Sequence, residues 1–140
     1  MTKEKIKIFL DYIPLVILII SAIILIITTI SNGTGLLWKH VTGLLVLPIN
    51  IGFFLWRHKI GVLALGVTII LGLVGFLSYS YTISTNTIYF GKSENFKIPI
   101  FYGQSIFLLW LLIHFIISVR HYIGIGTKKY WSELFNSANR

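Results

Sequence analysis

Long apolar runs alternate with short polar stretches along the whole chain. Four of these runs are each long enough to cross a hydrocarbon core of about 30 Å as an α-helix. The predicted spans cover residues 13–31, 36–56, 60–82 and 98–119. The pattern therefore predicts an all-α integral membrane protein, a four-transmembrane-helix bundle that forms one domain over residues 1–140.

The third run, residues 60–82, carries no charge and repeats small residues at steps of three or four. Such steps place residues on one face of a helix. In lipid, a face of small residues lets another helix backbone approach closely. We predict that this run is the helix on which the others pack, through Gly61, Ala64, Thr68, Gly72 and Gly75.

The stretch between the third and fourth runs has a different pattern. From residue 78, hydroxyl side chains alternate with Tyr79, Tyr81 and Ile83. Alternation with period two, rich in aromatic and β-branched residues, favours a strand over a helix. We predict a partly ordered outer loop, either with a β-hairpin turning near Thr85 and Asn86 or irregular with aromatic membrane anchors.

The composition agrees with a membrane protein. The chain is 56% hydrophobic and 11% charged, whereas soluble domains carry about 25% charged residues. The net charge is +8, and the basic residues flank the apolar runs. This placement indicates membrane topology and contact with anionic lipid rather than nucleic-acid binding.

The positive-inside rule predicts the orientation. Four spans place nine of the twelve lysines and arginines on the side of the N-terminus, which predicts an inner (cytoplasmic) membrane protein with both termini cytoplasmic. The amphipathic segment at residues 127–136 would lie on that membrane surface. The predicted contacts with anionic lipid are Arg57, Lys59, Arg120, Lys128 and Lys129.

A short sequence echo links the ends of the second and fourth spans. Residues 57–61 read RHKIG and residues 120–124 read RHYIG, so four of five positions are identical. Both pentapeptides fall on the same predicted side of the membrane. An internal duplication would explain the echo, and chance similarity of interfacial anchors is the alternative.

Three histidines, His58, His114 and His121, are weak candidates for a metal or haem site. Basic neighbours of His58 and His121 disfavour a cation, and no carboxylate lies near any of the three in sequence. We therefore predict no metal and no cofactor.

The chain lacks the usual parts of an enzyme or a coupled transporter. All four acidic residues lie outside the apolar cores or at their ends, whereas proton-coupled transporters place carboxylates inside the membrane. There is no cysteine, no nucleophile–base pattern and no phosphate-binding loop. We predict a non-enzyme without catalytic residues.

Recognition is the remaining class of function. We predict a small non-catalytic membrane protein whose partners are the bilayer and either a membrane-associated protein or further copies of itself. By shape alone it is similar to small four-span immunity and defence proteins of bacteria, although no motif carries that likeness. The predicted contact residues are aromatic: Tyr79, Tyr81, Tyr89, Phe90 and Phe96.

Two alternatives are open at this point. The first is a homo-oligomeric channel or passive transporter, with a shared pore lined by Asn50, Gln104 and His114. The second is a membrane cofactor protein that uses the three histidines named above.

Overall fold

The computed structural model describes the backbone of residues 3–81, 85–93 and 96–135, and the side chains of residues 5–81 and 103–132. The elements in chain order are α1 (Lys3–Asp11), α2 (Ile13–Ser31), α3 (Trp38–Trp56), α4 (His58–Leu73), β1 (Thr85–Ser93), β2 (Phe96–Gln104), α5 (Ser105–Ile125) and α6 (Lys128–Phe135).

Three helical stretches within the described residues are long and apolar enough to cross a membrane. They are Lys5–Ser31, Trp38–Trp56 and Ser105–Ile125, while the apolar helix α4 is shorter. The predictions of a mostly helical chain and of apolar helices long enough to span a membrane are confirmed.

Helix α4 lies between α3 and α5 and packs against both. Its side chains Val62, Leu65 and Ile69 are fully buried. Helix α2 packs less extensively on α3 and α5 and contributes Leu18 and Leu25 to the buried residues. The hydrophobic core is therefore centred on α4, the helix that the sequence predicted as the packing element.

The small residues of α4 make close contacts inside the chain. A Cβ atom added to Gly61 would lie 2.7 Å from the Phe54 Cα atom of α3. A Cβ atom on Gly72 would overlap the Phe107 ring of α5. Helices in lipid approach closely at such positions because glycine has no side chain. The small-residue face is thus used within one chain at these two positions.

Helix α4 ends at Leu73, and not at residue 82 as predicted. Gly75 has a φ of +88°, a left-handed conformation that glycine adopts without strain, and it turns the chain out of the helix. Residues 74–81, the non-helical segment, then continue on α3, where the Ser78 N–H donates to the Lys39 carbonyl at 2.9 Å.

The non-helical segment forms hydrogen bonds with neighbouring elements. The Tyr79 hydroxyl donates to the Gly43 carbonyl at 2.8 Å, and Tyr79 is only 2% exposed. The Gln104 amide donates to the Leu77 carbonyl at 3.0 Å. The segment therefore belongs to the core rather than to an exposed outer loop.

The two strands pair antiparallel, and the chain reverses between Ser93 and Phe96. The hairpin turn predicted near Thr85 and Asn86 is wrong in position, because these residues lie within β1 and pair with β2. The alternation of side chains that predicted a turn here belongs to strand β1.

Helix α5 covers Ser105–Ile125, whereas the predicted fourth span covered residues 98–119. Pro99, which falls within that predicted span, lies in β2 opposite Tyr89, beside an irregularity in the pairing. Proline is tolerated at such irregular positions because it has no N–H to donate. The helix is distorted at Ser118 and ends at Ile125, with Gly126 as its C-cap.

Candidate functional site

The side chain of Asp11 lies at the end of α1 and is fully buried. Helix α2 begins two residues later, so the carboxylate sits at the junction of α1 and α2. Helix α1 also contacts α5, which carries most of the groups that surround the carboxylate. In the sequence, Asp11 lies at the edge of the first apolar run, and no role was predicted for it.

Four side chains surround the Asp11 carboxylate. Nε2 of His58 and Nε2 of His121 lie 2.9 and 3.1 Å from Oδ2. The Ser118 hydroxyl donates to Oδ1 at 2.9 Å, and the Arg120 guanidinium donates to Oδ2. A buried carboxylate is tolerated when it is hydrogen-bonded and paired with a positive charge. These five residues are called the Asp11 cluster below.

Tyr130 of α6 adds a further contact to the cluster. Its hydroxyl oxygen lies 3.5 Å from Nδ1 of His121. Burial raises the pKa of the Tyr130 hydroxyl, so that this group keeps its proton. A hydroxyl that donates to Nδ1 leaves the imidazole proton on Nε2, where it points at Asp11. Tyr130 can therefore pair with either tautomer of His121, because its hydroxyl can donate to Nδ1 in one and accept from Nδ1–H in the other.

Aromatic rings hold His58 in place. The ring centroids of Tyr12 and Phe54 lie 5.2 and 5.5 Å from the His58 centroid, and that of His121 lies 6.0 Å away. Nδ1 of His58 is buried and has no hydrogen-bond partner among the described residues. The orientation of His58 therefore depends on ring packing and on its contact with Asp11.

The sequence echo converges on this cluster. His58 and His121 occupy equivalent positions in the two pentapeptides and contact the same oxygen of Asp11. Three residues after each histidine, a glycine accommodates an aromatic side chain, Phe54 against Gly61 and Tyr130 against Gly124. The two pentapeptides thus make similar local packing, while their origin by duplication stays a prediction.

His114 lies apart from the cluster. It is fully buried in α5, with its ring centroid 5.8 Å from that of Tyr122. Neither ring nitrogen has a hydrogen-bond partner within residues 5–81 and 103–132. The structure therefore brings together two of the three candidate histidines, His58 and His121, and joins them to a carboxylate.

The candidate pore residues face the interior of a single chain. Asn50 is 1% exposed, and its amide donates to Thr68 Oγ1 at 2.8 Å and to the Val46 carbonyl. Gln104 is also 1% exposed, and its amide donates to the Leu77 carbonyl of the non-helical segment. Together with the buried His114 they fill the core. Their burial removes the observation that favoured a shared pore.

The predicted lipid contacts lie in different environments. Arg120 binds Asp11 and its side chain is 34% exposed, so its contact with anionic lipid stays a prediction. The Arg57 guanidinium lies over the Trp56 ring, and Lys59 lies over the Tyr130 ring. Lys128 and Lys129 are exposed.

The predicted aromatic contact residues also divide. Tyr79 is corrected from an exposed contact to a core residue, because its ring packs near Phe107 and its hydroxyl is bonded. Tyr81 is 38% exposed and stays available for contact. The side chains of Tyr89, Phe90 and Phe96 lie outside the described residues.

The Asp11 cluster suits metal binding better than nucleophilic catalysis. Ser118 donates to Asp11 rather than to a histidine, so it lacks the adjacent base that activates a serine nucleophile. In contrast, one carboxylate oxygen and one nitrogen each of His58 and His121 lie within 4.8 Å of one another. Such a set could hold a transition-metal ion.

Comparison of the chain with protein-family models, curated proteins and solved structures gives no match. The chemistry of the site therefore follows from its geometry alone.

In sequence, Asp11 is separated from His58 by 47 positions and from His121 by 110 positions. Two signals in the sequence could have pointed to the site: a carboxylate at the edge of an apolar run, and the echo that contains the two histidines.

Proposed function

We propose that the protein is a small multi-pass protein of the cytoplasmic membrane that acts without catalysis, by binding a membrane-associated protein or a second copy of itself. The Asp11 cluster carries this proposal. Its polar groups bind one another and join the ends of α1, α4 and α5, which is a structural use. The function then depends on the surfaces that this arrangement presents.

The outer surface of α2 supports a location in lipid. Ile23, Ile24, Ile27 and Ile30 are each at least half exposed. Soluble monomers rarely expose such a continuous apolar surface to water. Lipid tails are the solvent in which this surface is stable.

The position of the cluster supports a common side for the two termini. Asp11 precedes α2, His58 begins α4, and Arg120 lies near the end of α5. Their contact places these helix ends together, in a region rich in lysine and arginine. The positive-inside rule makes this the cytoplasmic side.

The opposite end offers a surface for a partner. The exposed side chain of Tyr81 follows the buried Tyr79 and precedes the paired strands β1 and β2. Exposed aromatic residues are effective contacts in protein interfaces. An external toxin or signalling protein that meets this surface would give the protein an immunity or defence role.

The orientation can be tested by cysteine labelling, because the chain contains no cysteine. We expect Thr34→Cys, in the turn after α2, to react with a membrane-impermeant maleimide in intact cells. Ser132→Cys, which is exposed in α6, should react only after permeabilisation. Labelling in the reverse order would contradict the proposed orientation.

The binding function can be tested by photo-crosslinking in cells. We expect a photoreactive amino acid at Tyr81 to give a protein adduct of defined mass, because this side chain is exposed at the proposed contact surface. The matched control is Ile27, which is exposed on the lipid-facing side of α2. An adduct of twice the monomer mass would identify self-assembly. Lipid adducts alone at both positions would count against the proposal.

A further inference from the structure

We propose that Asp11, His58 and His121 form a binding site for a divalent transition-metal ion of the Zn²⁺ type. Oδ2 of Asp11 lies 2.9 and 3.1 Å from Nε2 of the two histidines. Ligand atoms about 2.0–2.2 Å from a tetrahedral Zn²⁺ lie about 3.3 Å from one another. Both carboxylate–nitrogen distances are therefore within a few tenths of an ångström of that spacing, and all three ligand atoms lie within 4.8 Å of one another.

The ligand types select the class of metal. Imidazole nitrogen with one carboxylate suits Zn²⁺, Cu²⁺, Ni²⁺ or Fe²⁺, whereas Ca²⁺ and Mg²⁺ prefer oxygen ligands throughout. Three protein ligands also leave a fourth position, which water can fill. The side chain of His58 is 21% exposed and provides a route of entry from the end of the helices.

Two further residues orient the ligands. The Ser118 hydroxyl holds Oδ1 of Asp11, which leaves Oδ2 directed at the two histidines. The Tyr130 hydroxyl oxygen lies 3.5 Å from Nδ1 of His121 and can accept a hydrogen bond from Nδ1–H, the tautomer that binds a metal through Nε2. Metal-binding histidines and carboxylates are commonly held by such hydrogen bonds, which raise metal affinity.

Arg120 opposes the metal ion, because its guanidinium binds the same oxygen of Asp11. The side chain of Arg120 is 34% exposed, so it can leave the carboxylate for water. Metal binding then exchanges one positive partner of Asp11 for another. This competition distinguishes a metal site from a purely structural ion pair. Removal of Arg120 would raise the metal affinity of a metal site, whereas it would only destabilise a structural cluster.

The test is titration of the purified protein in detergent with Zn²⁺ alone, after removal of metal by a chelator. We expect one equivalent to bind, and His58→Asn or His121→Asn to weaken binding by at least about tenfold. The matched control is His114→Asn, because this buried histidine of α5 lies outside the cluster. Arg120→Gln should bind Zn²⁺ several-fold more tightly than the wild type.

A second measurement needs no variant. Co²⁺ bound to the wild-type protein should give the visible absorption of a tetrahedral site with nitrogen and oxygen ligands. Failure of the wild type to bind Zn²⁺ or Co²⁺ stoichiometrically would overturn the proposal. It would also be overturned if both histidine variants kept wild-type affinity, or if Arg120→Gln bound no more tightly. None of these results bears on partner binding through Tyr81.

Discussion

Replacement of Asp11 by asparagine is expected to lower the free energy of unfolding by about 3 kcal/mol. Asparagine has nearly the same shape but no charge, so Arg120 loses its anionic partner and both histidines lose their acceptor at Oδ2. Breaking a buried ion pair from one side is costly because the remaining charge stays uncompensated. The partial exposure of Arg120 keeps the effect at the lower end of the range.

The measurement is unfolding in mild detergent with a chelator present, so that bound metal does not contribute. The control is the double variant Asp11→Asn with Arg120→Gln, which removes both charges. We expect its loss of stability to be smaller than the sum of the two single losses, because the two groups interact directly. An Asp11→Asn variant within about 0.5 kcal/mol of wild type would show that the cluster contributes little to stability.

Replacement of Gly72 by alanine is expected to lower the free energy of unfolding by about 2 kcal/mol, through overpacking. The new methyl group would overlap the ring of Phe107. That ring is fully buried, and the Trp110 ring lies 4.8 Å away between centroids, so it has little room to move. Gly72 lies in the last turn of α4, where the gain in helix propensity from alanine is small.

The chain offers a matched control in Gly52, which lies within α3 and has open space where its Cβ atom would be. Gly52→Ala should leave the stability unchanged or raise it by up to about 1 kcal/mol. Phe107→Leu should reduce the cost of Gly72→Ala in the double variant, because it removes the overlapping ring atoms. Equal stability of Gly72→Ala and Gly52→Ala would contradict the close packing of α4 on α5.

Length and apolar character were sufficient to predict the first two spans. The predicted range 13–31 matches α2, and the predicted range 36–56 differs from α3 by two residues at its start. Charged or turn-forming residues bound these runs on both sides, and α2 is followed by Gly33 with a φ of +60°. Such boundaries are local, so that a sequence pattern can locate them.

The end of α4 and the start of α5 could not be predicted in this way. A continuous apolar run is compatible with a buried helix and with buried extended backbone. Residues 74–81 leave the helix because tertiary partners exist, including the carbonyls of Lys39 and Gly43 and the amide of Gln104. No local pattern reveals these partners, which lie in α3 and at the end of β2.

The same limit applies to the Asp11 cluster. Each histidine taken alone resembles an interfacial anchor, and the single acidic residue resembles the end of an apolar run. The packing of α1 against α5 joins Asp11 to His121, and His58 reaches the same carboxylate from the start of α4. The echo between residues 57–61 and 120–124 pointed to the site, because its two histidines contact the same oxygen. That oxygen belongs to Asp11, which is distant from both histidines in sequence.

With the proposed membrane location, the shortness of α4 has a consequence for how the chain inserts during synthesis. Its 16 residues rise about 24 Å, which is less than the roughly 30 Å of a hydrocarbon core. The non-helical segment extends the path, and its backbone groups cannot face lipid without bonding partners. One of those partners, Gln104, is synthesised later than the segment itself. We therefore expect a nascent chain that stops after residue 81 to be held by the insertion machinery or degraded, and the arrival of α5 to release it.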